Sequence, residues 1–400
     1  MIKILHSADW HLGKKLFRHE RLSEQKLFLD WLLERTIKEN IDLLLISGDI
    51  FDHPIPPNDA LSLYYDFLYQ ISQTQTQVAI ISGNHDSGQF LAAPKELLKK
   101  DNIFIWGQLE ADLNNHHKVF HFKDEDVLVT ALPYFRHHEI LKHLKKTDCS
   151  QDEMENFFKD FFESSKKKKT GNTVYSVLMA HHLFGQYESA GSEQVVSLSG
   201  MDSIGRNLYQ DYYDYVALGH IHKTQTLHHN PLVIYPGSPI PMRFGESNKK
   251  YISEIFIING EATQSFINVP NHLPLIQIKA TENNIYEKLD KLIEESEAYQ
   301  LGTLLEIKIE MSAPRSGLVD EIKNYLKTSN VMLMSFFAMT NGSHETKKVS
   351  DITKFDPQEL FEFYYRTKYP DSDLPRELKE DFQSLMSRAQ ENISNENQTT

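Results

Sequence analysis

The sequence predicts an α/β layered fold, and three observations carry that prediction. Short apolar runs alternate with amphipathic segments over the first two-thirds of the chain. Five motifs rich in Asp, Asn and His each follow one of these runs. A second, shorter alternation beyond residue 274 reads β-α-β-α-β. Alternation of this kind builds sheets with helices packed on them, and it gathers functional side chains at strand carboxyl ends.

Residues 2–6 form the first expected strand. Residues 20–40 read as a helix with Leu22, Leu29, Leu32 and Leu33 among its apolar positions. The run at 42–46 is largely apolar, as suits a strand covered on both faces. A second helix is expected at 59–72 and strands at 78–81, 127–131, 174–179, 215–218 and 232–235. Residues 253–258 and 264–269 look like a closing antiparallel pair. Residues 145–169 are polar and include Lys166-Lys167-Lys168-Lys169, which reads as a solvated helix face and loop or, alternatively, as a phosphate-contacting loop.

Pro270-Asn271-His272-Leu273-Pro274 punctuates a boundary. Strands at 275–279, 303–311 and 331–338, with helices near 284–297 and 318–328, then form a small α+β domain. A polar break at 341–348 precedes two expected helices. Asp356-Pro357-Gln358-Glu359 resembles a capping box with Pro at the first helical position. The helix at 357–369 carries the apolar stripe Leu360, Phe361, Tyr364 and Tyr365, and that at 374–388 carries Leu374, Leu378, Phe382 and Leu385. Two stripes packed only on each other would leave aromatics exposed, so this segment is expected to dock on a partner. The polar tail from Asn392 is expected to be disordered. The expected domains are therefore 1–270, 271–345 and 346–400.

The 400 residues are 24% charged and 40% hydrophobic, ordinary for a soluble globular chain with a large core. A single cysteine, Cys149, excludes an intrachain disulfide. No secretory signal and no apolar run long enough for a membrane helix are read, so a reducing cytoplasm is the expected compartment. The net charge of -14 argues at face value against nucleic acid. Part of that charge lies in candidate metal ligands, which divalent cations would offset, and more lies in the acidic C-terminal third.

The motifs are Asp9-Trp10-His11, Gly48-Asp49-Ile50-Phe51-Asp52, Gly83-Asn84-His85-Asp86, Ala180-His181-His182 and Gly219-His220-Ile221-His222. A carboxylate and an imidazole two residues apart, as in Asp9 and His11, can reach one cation. Gly48 allows a tight strand exit, and the Asp49 carboxylate can bridge two cations ~3.5–4 Å apart. Asp52 can orient His11 or a bound water, or cap the following turn. Asn84 offers a neutral carbonyl oxygen. His85 need not bind metal: an imidazole beside a bridging phosphate can hydrogen-bond it and protonate a leaving oxygen. Asp86 can accept from that ring and fix its orientation. His181 sits closer to its strand end than His182 and is the expected ligand of the two. His220 and His222 flank Ile221, so in extended backbone both rings point into one crevice. Carboxylates, imidazoles and an amide together suit two divalent metals and phosphate-ester hydrolysis. Several imidazoles favour manganese over magnesium, and zinc and iron remain open.

These motifs resemble the calcineurin-like metallophosphoesterase superfamily, whose pattern is D-x-H, G-D-x-x-D, G-N-H-D, H and G-H-x-H. The stretches Leu5-His6-Ser7-Ala8-Asp9-Trp10-His11-Leu12-Gly13, Ala131-Leu132-Pro133-Tyr134, Ala217-Leu218-Gly219-His220-Ile221-His222 and Tyr235-Pro236-Gly237-Ser238-Pro239 resemble, more narrowly, SbcD-type DNA exonuclease subunits. That resemblance implies a β-sandwich flanked by helices, a DNA-capping α+β domain and a C-terminal helix pair. It implies a two-manganese nuclease, with double-strand exonuclease and single-strand or hairpin endonuclease activity in DNA repair, recombination and replication. The implied partners are DNA ends and hairpins and an SbcC-type coiled-coil ATPase, with a homodimer inside a heterotetramer and no membrane. One metal would take Asp9, His11, Asp49 and His222, and the other Asp49, Asn84, His181 and His220. His85 would contact the scissile phosphate. Alternatives are a small-molecule or cyclic-nucleotide phosphoesterase and, in another class, a non-catalytic DNA- or ATPase-binding scaffold. A scaffold has no need of the complete donor set.

Overall fold

A computed structural model describes residues 1–123, 125–193, 203–311, 315, 317–340, 365, 375, 378 and 382. Two six-stranded sheets form its centre. In spatial order the first contains Glu261–Val269, Lys250–Ile258, Ile2–Ser7, Leu43–Ser47, Gln77–Ile81 and Ile103–Trp106. Its last four strands are parallel, and the other two close the sheet antiparallel. The second contains Gln225–His229, Leu232–Tyr235, Tyr215–Leu218, Thr173–Ala180, Glu125–Leu132 and His117–Phe122.

The sequence pattern explains why the sheets stack. Strands Ile2–Ser7 and Leu43–Ser47 are buried along almost their whole length, so they need apolar cover on both faces. Between the sheets, Ile2, Ile4, Leu43, Leu45 and Ile81 meet Val127, Val129, Val177, Met179 and Ala217. On the outer face of the first sheet, helix Leu22–Lys38 places Phe28, Leu29 and Leu32 inward, and helix Asn58–Ser72 places Tyr64, Phe67, Leu68 and Ile71 inward. The result is a β-sandwich with helices on its flanks.

The second flank corrects the reading of residues 145–169. This stretch contains helix Gln151–Lys166, whose N-cap Ser150 forms a capping box with Glu153. Met154, Phe157, Phe158, Phe161 and Phe162 are all buried in the core under the second sheet. The i, i+3, i+4, i+7 spacing of these residues was hidden by the charged residues between them. Outside this helix, Lys145–Asp148 and Lys167–Lys169 are exposed polar chain. Strands Ile103–Trp106, His117–Phe122 and Gln225–His229 also had no counterpart in the sequence reading.

The small α+β element follows the expected order. Strands Leu275–Thr281, Thr303–Met311 and Val331–Thr340 form a three-stranded sheet, with helices Ile285–Ser296 and Leu318–Leu326. Its core is its own, built from Ile278, Leu289, Ile307, Ile309, Ile322 and Leu326. A separate cluster of Leu16, Leu273, Leu275 and Leu304 adjoins Phe244 and Met334. Met1–Met339 forms one compact unit and Thr340–Thr400 a second. In the second, Tyr365, Leu378 and Phe382 are helical, and Leu378 is 40% exposed. Of the residues expected to dock on a partner, Leu360, Phe361, Tyr364, Leu374 and Leu385 lie outside the described residues, as does the tail from Asn392. Among the described residues, no helix is long and apolar enough to cross a membrane.

Candidate metal centre

The loops that leave the central strands are zipped together by their backbones. The amides of Asp9, His11 and Leu12 donate to the carbonyls of Gly48, Asp49 and Ile50 at 2.9–3.0 Å. Gln25 clamps the first loop from the neighbouring helix: its Nε2 donates to the His11 carbonyl at 2.7 Å, and its Oε1 accepts from the Gly13 amide at 3.0 Å. Trp10 anchors the same loop in the core, edge-on to Phe28 and Phe67. Asp9, His11, Asp49 and His220 have φ of 56°, 47°, 50° and 96°, a region costly for residues with a Cβ. Such backbone persists where surrounding structure enforces it, at about 1–3 kcal/mol each. Gly83 answers a different need, since a Cβ there would lie 2.1 Å from Asp49 Oδ1.

This backbone brings the predicted donors together. His11 Nε2 lies 3.1 Å from His222 Nε2 and 3.5 Å from Asp49 Oδ2. His181 Nε2 lies 3.4 Å from the same Asp49 oxygen and 3.2 Å from Asn84 Oδ1. His220 Nδ1 is 2.8 Å from that Asn84 oxygen. Asp9, His11 and His222 form one convergent group, and Asp9, Asp49 and His181 form another, each with ligand atoms within 4.8 Å. Asp9 Oδ1 accepts from the His220 amide at 2.8 Å, while its buried Oδ2 has no hydrogen-bond partner. Two imidazole nitrogens facing each other at 3.1 Å cannot both carry protons there. That pair and the orphaned carboxylate oxygen fit cation binding, and the N/O mixture suits a divalent transition metal.

The doubled histidine divides by direction. His181 Nδ1 donates to the Ser47 carbonyl at 2.7 Å, which turns Nε2 toward Asp49. His182 points away: its Nε2 is 3.3 Å from the Pro133 carbonyl, and its ring packs on Tyr134 and Phe135. His181→Ala is therefore expected to lose one bound cation and hydrolytic activity, and His182→Ala to keep both. Metal analysis of the two purified variants checks this, and the reverse order would move the ligand by one residue.

Burial raises the Asp9 carboxyl to about 8, against the pull of His181. Burial acts on Asp49 in the same direction, yet His181, His11 and His85 hold it well below the usual carboxylate range. Burial disfavours a charged His181, but Asp49 and Asp9 lift it to about 9. Burial pushes His220 down to about 4 and lowers His222 and His11. The metal-free centre thus favours the protonated forms of Asp9 and His181, and coordination must displace those protons. Cation binding is expected to release protons and to tighten as pH rises from 7 to 9. Calorimetric titration with Mn²⁺ in buffers of different ionisation enthalpy measures the release, and an enthalpy independent of buffer would refute it.

Residues 2–224 match the calcineurin-like phosphoesterases. The chain belongs to that family. It is similar to the SbcD subunit of nuclease SbcCD from Escherichia coli K12, with 26% identity over 301 residues, 72% of this chain and 74% of that one. The protein of the same name from Rhodobacter capsulatus is 26% identical over 384 residues, covering 90% and 93%. That from Bacillus subtilis is 29% identical over 301 residues, covering 72% and 76%.

In this calcineurin-like phosphoesterase the residues around the donors differ in part from expectation. His85 is half-buried and edge-on to His11, and its Nδ1 donates to the Asp52 carbonyl at 2.9 Å. The ring is thus oriented by backbone, not by Asp86. The Asp86 carboxylate instead accepts from the amides of Ile50, Phe51 and Gly83 at 3.1, 2.9 and 2.8 Å, tying two motif loops together. Adjacency in sequence misled here, because the loop turns the two side chains apart. Burial raises Asp86 to about 7. Asp52 Oδ1 lies 3.2 Å from His11 Nδ1 and 2.8 Å from Lys14 Nζ.

Sequence reasoning missed the supports of His222. Its amide donates to Glu193 Oε1 at 2.9 Å, and Glu193 also accepts from Ser189 Oγ and the Ala190 amide. Its Nδ1 is 2.6 Å from Ser192 Oγ, which contacts Glu246. Neither Gln25 nor these residues sit in a recognisable motif, so no local signal could have found them.

Proposed function

We propose that this phosphoesterase is a DNA nuclease subunit of the SbcD type, hydrolysing phosphodiesters with two divalent cations, most simply Mn²⁺. The observation that carries the reading is Asp49, whose Oδ2 faces His11 on one side and His181 on the other. The DNA substrate rests on the likeness to proteins named as the SbcD subunit of nuclease SbcCD, which extends over 90% of this chain in one case. Asp9, His11, Asp49 and His222 would hold one cation, and Asp49, Asn84, His181 and His220 the other. Bound there, the cations would polarise a phosphate oxygen and activate an attacking water. In its imidazolium form His85, held through Nδ1 by the Asp52 carbonyl, would use the Nε2 proton to hydrogen-bond the phosphate and protonate the leaving oxygen. Asp86 keeps the Asp49 and Gly83 loops in register.

In this reading residues 1–270 carry the chemistry, residues 271–345 orient duplex DNA, and residues 346–400 dock on the base of a coiled-coil ATPase. The protein would act as a homodimer within a heterotetramer, as a double-strand exonuclease and as a single-strand and hairpin endonuclease. The deciding experiment is Mn²⁺-dependent cleavage of end-labelled blunt and hairpin DNA, with and without the ATPase, beside a small phosphodiester. Turnover of the small ester alone would favour a small-molecule phosphoesterase, and no turnover of either would favour a scaffold. A chain truncated after Lys348 is expected to keep Mn²⁺ nuclease activity on short DNA and to fail to co-purify with the ATPase. Unchanged affinity for the ATPase would put the docking site elsewhere.

A further inference from the structure

His222 is backed by a chain of polar side chains whose directions can be worked out from Lys250. The Lys250 ammonium is buried, with a side chain 6% exposed, and Glu246 beside it is 2% exposed. Lys250 Nζ donates to Glu246 Oε2 at 2.8 Å, to Ser238 Oγ at 3.0 Å and to the His222 carbonyl at 3.4 Å, which uses all three of its protons. Glu246 Oε2 accepts also from the Met242 amide at 3.0 Å. A carboxylate facing an ammonium and an amide can only accept. The remaining oxygen, Oε1, therefore takes the hydroxyl proton of Ser192. With its proton committed, Ser192 Oγ can only accept from His222 Nδ1, 2.6 Å away. Nδ1 carries the ring proton, and the lone pair of His222 is forced onto Nε2, the nitrogen 3.1 Å from His11 Nε2 and grouped with Asp9.

We infer that Ser192, Glu246 and Lys250 form a positioning relay that locks His222 in the tautomer able to bind a cation. The inference rests on the cation-binding reading of the centre but not on the identity of the substrate. The relay supplies what the Ser47 carbonyl supplies to His181, but through side chains from distant parts of the chain. Glu246 and Lys250 lie beyond residue 224, where the match to the phosphoesterase family ends. A partner that orients a ligating imidazole typically changes metal affinity by about 10–100-fold when removed.

The test uses the full chain and Mn²⁺ alone, with no DNA. Manganese affinity is measured by electron paramagnetic resonance titration in the wild type, Ser192→Ala, Ser192→Thr and Glu246→Gln. In parallel, ¹⁵N-histidine spectra of the metal-free proteins report which nitrogen of His222 is protonated. Ser192→Ala is expected to weaken one Mn²⁺ site about 10–100-fold and to shift the His222 signals away from a pure Nδ1–H tautomer. Ser192→Thr, which keeps the hydroxyl, is expected to restore both readouts. Glu246→Gln is expected to resemble Ser192→Ala, because an amide can donate to Ser192 and reverse the chain. Should Ser192→Ala keep wild-type affinity and tautomer, the relay is refuted. A merely structural role would lower affinity in Ser192→Ala without moving the tautomer, and that result also refutes it. A wild type that binds no Mn²⁺ would instead defeat the cation reading itself.

Discussion

Asp49→Asn is expected to lower hydrolysis by at least about 10³-fold, on the order of 4 kcal/mol of transition-state stabilisation. The substitution keeps the shape of the side chain and an oxygen for the His85 amide, which Asp49 Oδ1 now accepts at 2.9 Å. It removes the anion that Oδ2 presents to both His11 and His181 at 3.5 and 3.4 Å. An amide NH₂ in that place would aim donors at nitrogens that must offer lone pairs. Cation content should therefore fall at both sites while thermal unfolding stays near that of the wild type. The measurements are metal analysis, a melting curve and hydrolysis of a phosphodiester. Full activity with a normal manganese content would remove the shared-carboxylate arrangement. The same variant should lose the lift that Asp49 gives His181, so less proton release should accompany residual cation binding.

How much was legible in the sequence followed from where the information lies along the chain. Strands 215–218 and 232–235 were read with the bounds they have because each is an apolar run ended by a turn or a motif, and 303–311 because apolar and charged residues alternate along its second half. The donors were legible for the same reason: each motif is contiguous and leaves a strand end, and the sandwich brings those ends together. Helix Gln151–Lys166 was expected only as a solvated face, since charged residues interrupt its buried aromatic stripe in every turn. Strand Gln225–His229 is only partly buried and has no apolar run to announce it. Side-chain direction within a motif was the weakest inference. Asp86 and His85 are neighbours, yet one ties loops together and the other faces the donors. Supports such as Gln25, Ser192 and Glu246 act across 14, 30 and 54 residues of chain, and no spacing rule reaches that far.

His85→Gln should separate chemistry from cation binding. The ring of His85 is held at Nδ1 by the Asp52 carbonyl and sits edge-on to His11, with centroids 4.8 Å apart. Its backbone amide, not its ring, meets Asp49. Replacing the ring leaves that amide in place, so Asp49 keeps its orientation and the donors keep theirs. Glutamine can hydrogen-bond a phosphate oxygen but cannot deliver a proton to a leaving alkoxide near neutral pH. The rate is therefore expected to fall about 10²–10⁴-fold, the range typical of a lost general acid, with manganese content and DNA affinity unchanged. The loss should shrink for a phosphodiester with a good leaving group such as p-nitrophenolate, which departs without protonation. Cleavage of labelled DNA, turnover of bis-p-nitrophenyl phosphate and metal analysis test the three parts separately. Loss of metal from His85→Gln would make the ring a ligand. An equal loss on both substrates would leave it a phosphate contact and no acid.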